Sequence, residues 1–179
     1  MMITLSWTRP VDTASEQGRA ATTRGQLWKV LLDKAENPVG YVPAITESRI
    51  VERYADGFLR EAKRGERGTL VQRVTPDETN GRITFRHVDG SDLAMIRNEI
   101  GEDESGRLTL TLSLTLDTES SAAVLAQNSY LRELDADFSV TLDDMTAVLR
   151  RHAVRNSEST GKRRRNRPTR SLRPGRTDG

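Results

Sequence analysis

The sequence predicts an α+β fold: a seven-stranded antiparallel sheet laid against one long C-terminal helix, with a short helix pair after the first strand. Three observations carry this. Leu108, Leu110, Leu112, Leu114 and Leu116 alternate with Thr or Ser, so one face of a strand is all leucine. Leu131, Leu134, Phe138, Leu142, Met145 and Leu149 recur at spacings of 3, 4, 4, 3 and 4, the period of an amphipathic helix over about 120–153. Turn signals at Ala55-Asp56-Gly57, Gly65 to Gly68, Asn80-Gly81, Asp89-Gly90 and Asp103 to Gly106 divide residues 46–117 into six short strands. An apolar sheet face and an apolar helix stripe must cover each other.

The elements follow in order. Ile3, Leu5 and Trp7 alternate with Thr4, Ser6 and Thr8, a half-buried first strand, and a polar loop covers 10–23. Thr23-Arg-Gly-Gln26 has the spacing of a capping box, ahead of Leu27, Trp28, Leu31, Leu32 and Ala35 at helical spacing. Asn37-Pro38 ends that helix, and the apolar run Tyr41 to Ile45 has room for a second short one. The meander and the long helix come next, with Glu133, Asp135, Asp137, Asp143 and Asp144 on the helix's wet side. Beyond Asn156 the chain is rich in Arg, Pro, Gly, Ser and Thr and has almost nothing to bury, so disorder is expected. The domain division is therefore a folded unit over 1–155 and a basic tail over 156–179.

Charge divides at the same place. The net of +2 sums 17 basic and 24 acidic residues over 1–149 with 11 basic and two acidic over 150–179. The pI near 9.2 belongs to the tail. Nucleic-acid contact is expected only weakly and without sequence preference, through Lys162-Arg-Arg-Arg165 and the arginines after it. The absence of cysteine removes disulfides, thiol nucleophiles and thiolate zinc sites, and two distant histidines, His87 and His152, exclude a histidine-rich metal centre. No GxGxxG, P-loop or GxSxG pattern occurs, so no metal or cofactor is expected. With no apolar run of membrane-spanning length and no signal-like N-terminus, a cytoplasmic location is expected.

Strand registers sharpen the reading. A three-residue loop with Gly57 left-handed sets Tyr54 opposite Phe58 and Glu52 opposite Arg60, avoiding like-charge pairs. A three-residue loop at Gly65-Glu66-Arg67 sets Arg60 opposite Gln72. Two-residue loops at Asn80-Gly81 and Asp89-Gly90 pair Val74 with His87 and Phe85 with Ala94. The helix-facing side then carries Ser48, Ile50, Glu52 and Tyr54; Phe58, Arg60 and Ala62; Leu70, Gln72 and Val74; Ile83, Phe85 and His87; Ala94, Ile96, Asn98 and Ile100; and the leucines. Glu52, Arg60 and Gln72 form one row, with His87 and Asn98 elsewhere. Five large polar groups among apolar neighbours need partners, which points to a cavity between sheet and helix rather than a solid core. The same residues also have a structural reading. Glu52–Arg60 is an ordinary cross-strand pair, His87 sits beside a turn, and Asn98 can satisfy backbone groups at a bulge.

The stretch from Leu27-Trp28 to Leu116 resembles the AtaL-like family of the START-like (SRPBCC) helix-grip superfamily. The matching pieces are Leu27-Trp28 with Ala35, Asn37-Pro38, Val42-Pro43-Ala44-Ile45, Val51-Glu52 with Tyr54, Gly57 with Leu59-Arg60-Glu61, and Asn98 with Ile100-Gly101-Glu102-Asp103-Glu104. The resemblance implies a curved sheet gripping the helix around a hydrophobic ligand cavity, and a setting in secondary metabolism. The basic tail is not part of the family pattern.

Two functions follow. The first is binding of a hydrophobic or polyketide-like small molecule, with Tyr54, Phe58, Gln72, Phe85, Asn98, Leu112, Leu134 and Phe138 as candidate ligand contacts. The second is a cofactor-free cyclase, dehydratase or isomerase, with His87 or Glu52 as base and Arg60, Tyr54 or Asn98 holding an oxyanion.

Overall fold

A computed structural model describes residues 2–12, 21–88, 93–119 and 121–122, together with residues 132, 135–136, 138–140, 142–149, 151 and 155 of the C-terminal helix. The turn at Asp89-Gly90, Leu131, Leu134, His152 and the tail from 156 onward lie outside the described residues.

Seven strands form one antiparallel sheet: β1 (Thr4–Pro10), β2 (Glu47–Tyr54), β3 (Gly57–Lys63), β4 (Thr69–Asp77), β5 (Arg82–His87), β6 (Leu93–Glu102) and β7 (Leu108–Leu116). Their order across the sheet is β1-β7-β6-β5-β4-β3-β2, a meander with the first strand added at its far edge. Helix α1 (Arg24–Glu36) begins on the expected capping box: Gln26 N–H donates to Thr23 Oγ1, and Thr23 N–H to Gln26 Oε1. It ends before Asn37-Pro38, and residues 38–45 continue as turns, with Tyr41 and Val42 both donating to the Pro38 carbonyl.

The core lies where α1, the sheet and the C-terminal helix meet. Leu27, Trp28 and Leu31 face Val74, Ile83, Phe85, Ile100 and Leu110, and Leu142, Met145 and Leu149 of the long helix close the third side. The inner leucines Leu110, Leu112, Leu114 and Leu116 are all buried, so the alternation along β7 does face the helix. On its other face, hydroxyls pair across β1 and β7: Thr4 with Thr115, Ser6 with Ser113 and Thr8 with Thr111. Trp7 stacks on Phe138 with ring centroids 5.2 Å apart and donates from Nε1 to Asp135 Oδ1. Asp135 thus anchors β1, although its position on the helix reads as solvated.

Registers differ from expectation in an instructive way. Arg60 pairs with Gln72 as expected. At the next hairpin four residues, Glu78 to Gly81, form the turn, so Gln72 rather than Val74 lies opposite His87. Phe85 pairs with Ile96 rather than Ala94. Both shifts are by two residues, and a shift of two leaves every side chain on its face. The β2–β3 hairpin is different. Its turn places Tyr54 opposite Gly57, and a bulge between Ile50 and Glu52 sets Ile50, not Glu52, opposite Arg60. An inserted residue reverses the alternation beyond it. Glu52 and Tyr54 are consequently exposed, with Tyr54 Oη donating to Glu52 Oε2 and the Tyr54 ring lying under Arg73.

Gly57 is required at this hairpin. Its φ is 152°, and a Cβ there would collide with the Val74 carbonyl oxygen. Gly57→Ala is therefore expected to cost about 3 kcal/mol or more, combining backbone strain with displacement of β4. A thermal melt should fall by about 6 °C or more, and an unchanged melting temperature would contradict the close approach.

Candidate functional site

Between the sheet, the C-terminal helix and the segment following α1 lies a cavity of about 190 Å³. Its apolar wall is made by Leu70, Phe85, Ile96 and Leu112 from the sheet, Phe138 and Met145 from the helix, and Val42 and Ile45 from the turn segment. Its polar groups are Lys34, Arg60, Arg64, Gln72, His87 and Asn98. Lys34, Arg60, Gln72 and Asn98 are buried at its floor, whereas Val42, Ala44, Arg64 and His87 keep contact with solvent and form its mouth. No carboxylate is among the described lining residues.

Two polar chains organise the floor. In the first, Lys34 Nζ donates to Asn98 Oδ1 at 2.6 Å. In the second, Arg60 donates from Nε and Nη2 to Gln72 Oε1 at 3.0 and 2.8 Å, and from Nη1 to the Ala35 carbonyl at the end of α1 at 2.5 Å. Gln72 Nε2 then lies 2.8 Å from His87 Nε2. Because a guanidinium only donates, Arg60 fixes the Gln72 amide with its oxygen toward the guanidinium and its NH₂ toward the imidazole. His87 Nε2 is therefore the acceptor, and this bond selects the neutral ring protonated at Nδ1. The one basic lone pair of such a ring is the one that Gln72 occupies.

The two chains share an aromatic partner. The Arg60 guanidinium sits 4.7 Å and the Lys34 ammonium 5.4 Å from the Phe85 ring centroid. Their energies differ from those of surface cations. Burial strips Lys34 of water, and the neighbouring Arg60 charge adds repulsion, so its pKa falls from 10.5 to about 7. Desolvation also lowers Arg60, to about 10, and it stays charged at neutral pH. At the same end of α1, Tyr41 Oη donates to Asp33 Oδ2 at 2.5 Å, and burial followed by that carboxylate raises the phenol well above its usual range.

The candidates from sequence separate cleanly by position. Arg60, Gln72, Phe85, His87, Asn98, Leu112 and Phe138 all line the cavity. His87 joins the Arg60–Gln72 row directly instead of standing apart from it. Phe58 is buried in the core beside the Arg53 side chain but is not on the cavity wall. Glu52 and Tyr54 lie outside, because the β2 bulge turns their part of the strand away, and Leu134 is outside the described residues. Lys34 was not among the candidates. Its signal is positional: it falls two helical turns after Leu27 and three residues after Leu31, on the buried stripe of α1.

An antiparallel sheet closed against a long C-terminal helix, with a cavity between them, defines a helix-grip protein. The chain belongs to the AtaL family, described as acetylaranotin biosynthesis cluster protein L, whose model matches residues 5–156. No curated protein matches the chain in sequence. Among solved structures it is similar to the Zhui aromatase/cyclase from Streptomyces sp. R1128, with a TM-score of 0.63 and 14% identity over 90% of this chain and 99% of that one. The di-domain ARO/CYC BexL of the BE-7585A biosynthetic pathway gives a TM-score of 0.56 and 15% identity over 85% of this chain and 50% of that one. TTHA0849 from Thermus thermophilus gives 0.54 and 13%, covering 88% and 99%. At these identities the likeness is one of fold. No helix among the described residues is long and apolar enough to cross a membrane.

Proposed function

We propose that the cavity binds an amphipathic, polyketide-like small molecule. Its apolar body would lie against Phe85, Leu112, Phe138 and Met145, and its oxygen-rich end would meet Lys34 and Arg60. One observation carries this reading: buried hydrogen-bond donors stand in an apolar cavity whose described lining holds no carboxylate. Such a site favours ligands that bring hydrogen-bond acceptors or negative charge, and disfavours cations. The volume equals that of about six waters, enough for one ring or the end of a longer chain. Membership of a biosynthesis-cluster family and a fold shared with two aromatase/cyclases support placing the ligand in secondary metabolism.

Thermal shift and native mass spectrometry with aryl carboxylates, 1,3-diketones and matched arylamines test this. At about 100 times Kd an acceptor-rich ligand should stabilise by about 2.7 kcal/mol, raising the melting temperature by about 5–10 °C. A preference for the amines, or no uptake of any class, would refute it.

A second reading is favoured by the place of His87 at the cavity mouth. Once a ligand displaces Gln72 from His87 Nε2, the lone pair there can accept a proton from an acidic ligand carbon, while Arg60 and Lys34 stabilise the enolate that forms. A cyclisation or dehydration of the bound polyketide would use this pair of roles. His87→Ala should then abolish turnover while leaving ligand uptake intact, and full retained turnover would remove His87 from the mechanism.

A further inference from the structure

We propose that Lys34 is a covalent nucleophile that condenses with an aldehyde or ketone carbonyl of the cavity's ligand to give an imine. The proposal rests on the reading of the cavity as a ligand site and goes beyond it, because non-covalent binding needs only a hydrogen-bond donor here.

The geometry sets Lys34 apart from an ordinary buried lysine. Its side chain lines the cavity but has no carboxylate partner among the described residues there; the amine donates instead to a neutral amide oxygen, Asn98 Oδ1. Without a counter-ion, burial opposes the ammonium form. The neighbouring cation adds to that effect: Arg60 shares the Phe85 ring, and Arg64 and the neutral His87 line the same cavity. A lysine desolvated in an apolar pocket beside a second cation is how a protein keeps an amine unprotonated and reactive near neutral pH. The lowered Lys34 pKa of about 7 agrees with this placement.

The step balances without a further reagent. The Nζ lone pair attacks the carbonyl carbon, a C–N bond forms, the carbonyl π pair becomes a lone pair on the oxygen, and a proton passes from the nitrogen to that oxygen to give the carbinolamine. A second proton, taken from solvent, lets that oxygen leave as water as the nitrogen lone pair forms the iminium, which acidifies the neighbouring C–H bonds and gives the imine when the proton returns to solvent. The Arg60 guanidinium and the Gln72 and Asn98 amides stand ready to hold the oxygen as it gains charge. The reaction is reversible and ends with the free amine restored by water.

Reductive trapping tests this on the full chain. Benzaldehyde and sodium cyanoborohydride at pH 7.5 convert an iminium to a benzylamine by hydride addition at carbon. The chain has four lysines, Lys29, Lys34, Lys63 and Lys162, so peptide masses assign each site. Lys34 should label at least about tenfold faster than the other three, since each pKa unit below the ordinary lysine value multiplies the free amine about tenfold until the pKa nears the working pH. Aryl carboxylates that fill the cavity should suppress this labelling selectively, and Lys34→Arg, which keeps a hydrogen-bond donor but no nucleophilic amine, should remove it. Labelling of Lys34 at or below the rate of the others, with the native melt retained, would overturn the proposal. If carboxylates still raise the melting temperature, only the covalent step falls; if they do not, the ligand-site reading falls with it.

Discussion

Lys34→Met should stabilise the protein at pH 7 and below, and should remove a pH dependence that the parent shows between about pH 7 and 10. The folded lysine titrates near 7 and the unfolded one near 10.5. Within that window the unfolded state binds more protons, so the parent's stability rises as pH increases. Below it both states are protonated, and the full penalty of holding a buried cation is present. A shift of this size corresponds to about 5 kcal/mol at most, offset in part by loss of the Asn98 hydrogen bond, itself worth about 1 kcal/mol or more. Urea unfolding of parent and variant at pH 6, 8 and 10 measures the difference, and the other titrating groups cancel. The variant's advantage should shrink steadily from pH 6 to 10. A difference that stays constant with pH would place the Lys34 charge in water in the folded state.

Arg60→Ala should have the opposite sign and comparable size, costing about 3–5 kcal/mol. The guanidinium alone supplies two bonds to Gln72 Oε1 and one to the Ala35 carbonyl. Its removal leaves both acceptors buried without those donors and opens space beside Phe85. Arg60→Lys should recover less than half of the loss, because one ammonium cannot reproduce a fork that spans a side-chain amide and a helix-end carbonyl. Equal stability of the Lys variant and the parent would show that charge, not the fork, is what matters. The substitution to alanine also has an electrostatic consequence. With the second cation gone, Lys34 should titrate at a higher pH than in the parent, which nitrogen NMR of the side chain would read directly. The two residues hold the same cavity in opposite ways, one by satisfying it and one by straining it.

Much of this architecture was legible in the sequence because a strand's information has a period of two. The true turn at Glu78 to Gly81 is longer than the Asn80-Gly81 signal implies, yet Phe85, His87 and Gln72 still face inward, because the resulting slip was even. The β2 bulge is an odd slip, and there the face assignment failed. Val51 carries no Gly, Pro or other mark of a bulge, so nothing local separates Glu52 inside from Glu52 outside. Lys34 was concealed for a different reason. An apolar stripe is traced by its apolar members, and a lysine on it is discounted, although its register with Leu27 and Leu31 placed it inside. The union of His87 with the Arg60–Gln72 row depended on the hairpin slip and could not be reached from turn residues.

The pairing of β1 with β7 has a consequence for how the chain comes to be folded. Strand β1 is made first, but Leu5 and Trp7 pair with Leu114 and Leu112, more than a hundred residues later. Its other anchors, Asp135, Ser139 and Asp143, come later still. During synthesis at about 5–20 residues per second, this apolar segment therefore waits for several seconds with no strand of its own to join. The β2–β7 meander can grow hairpin by hairpin from neighbours in sequence, whereas β1 closes a loop of more than a hundred residues. The cavity walls at β3 to β6 can thus assemble before β1 is in place, and docking of β1 with the C-terminal helix is the act that completes the fold.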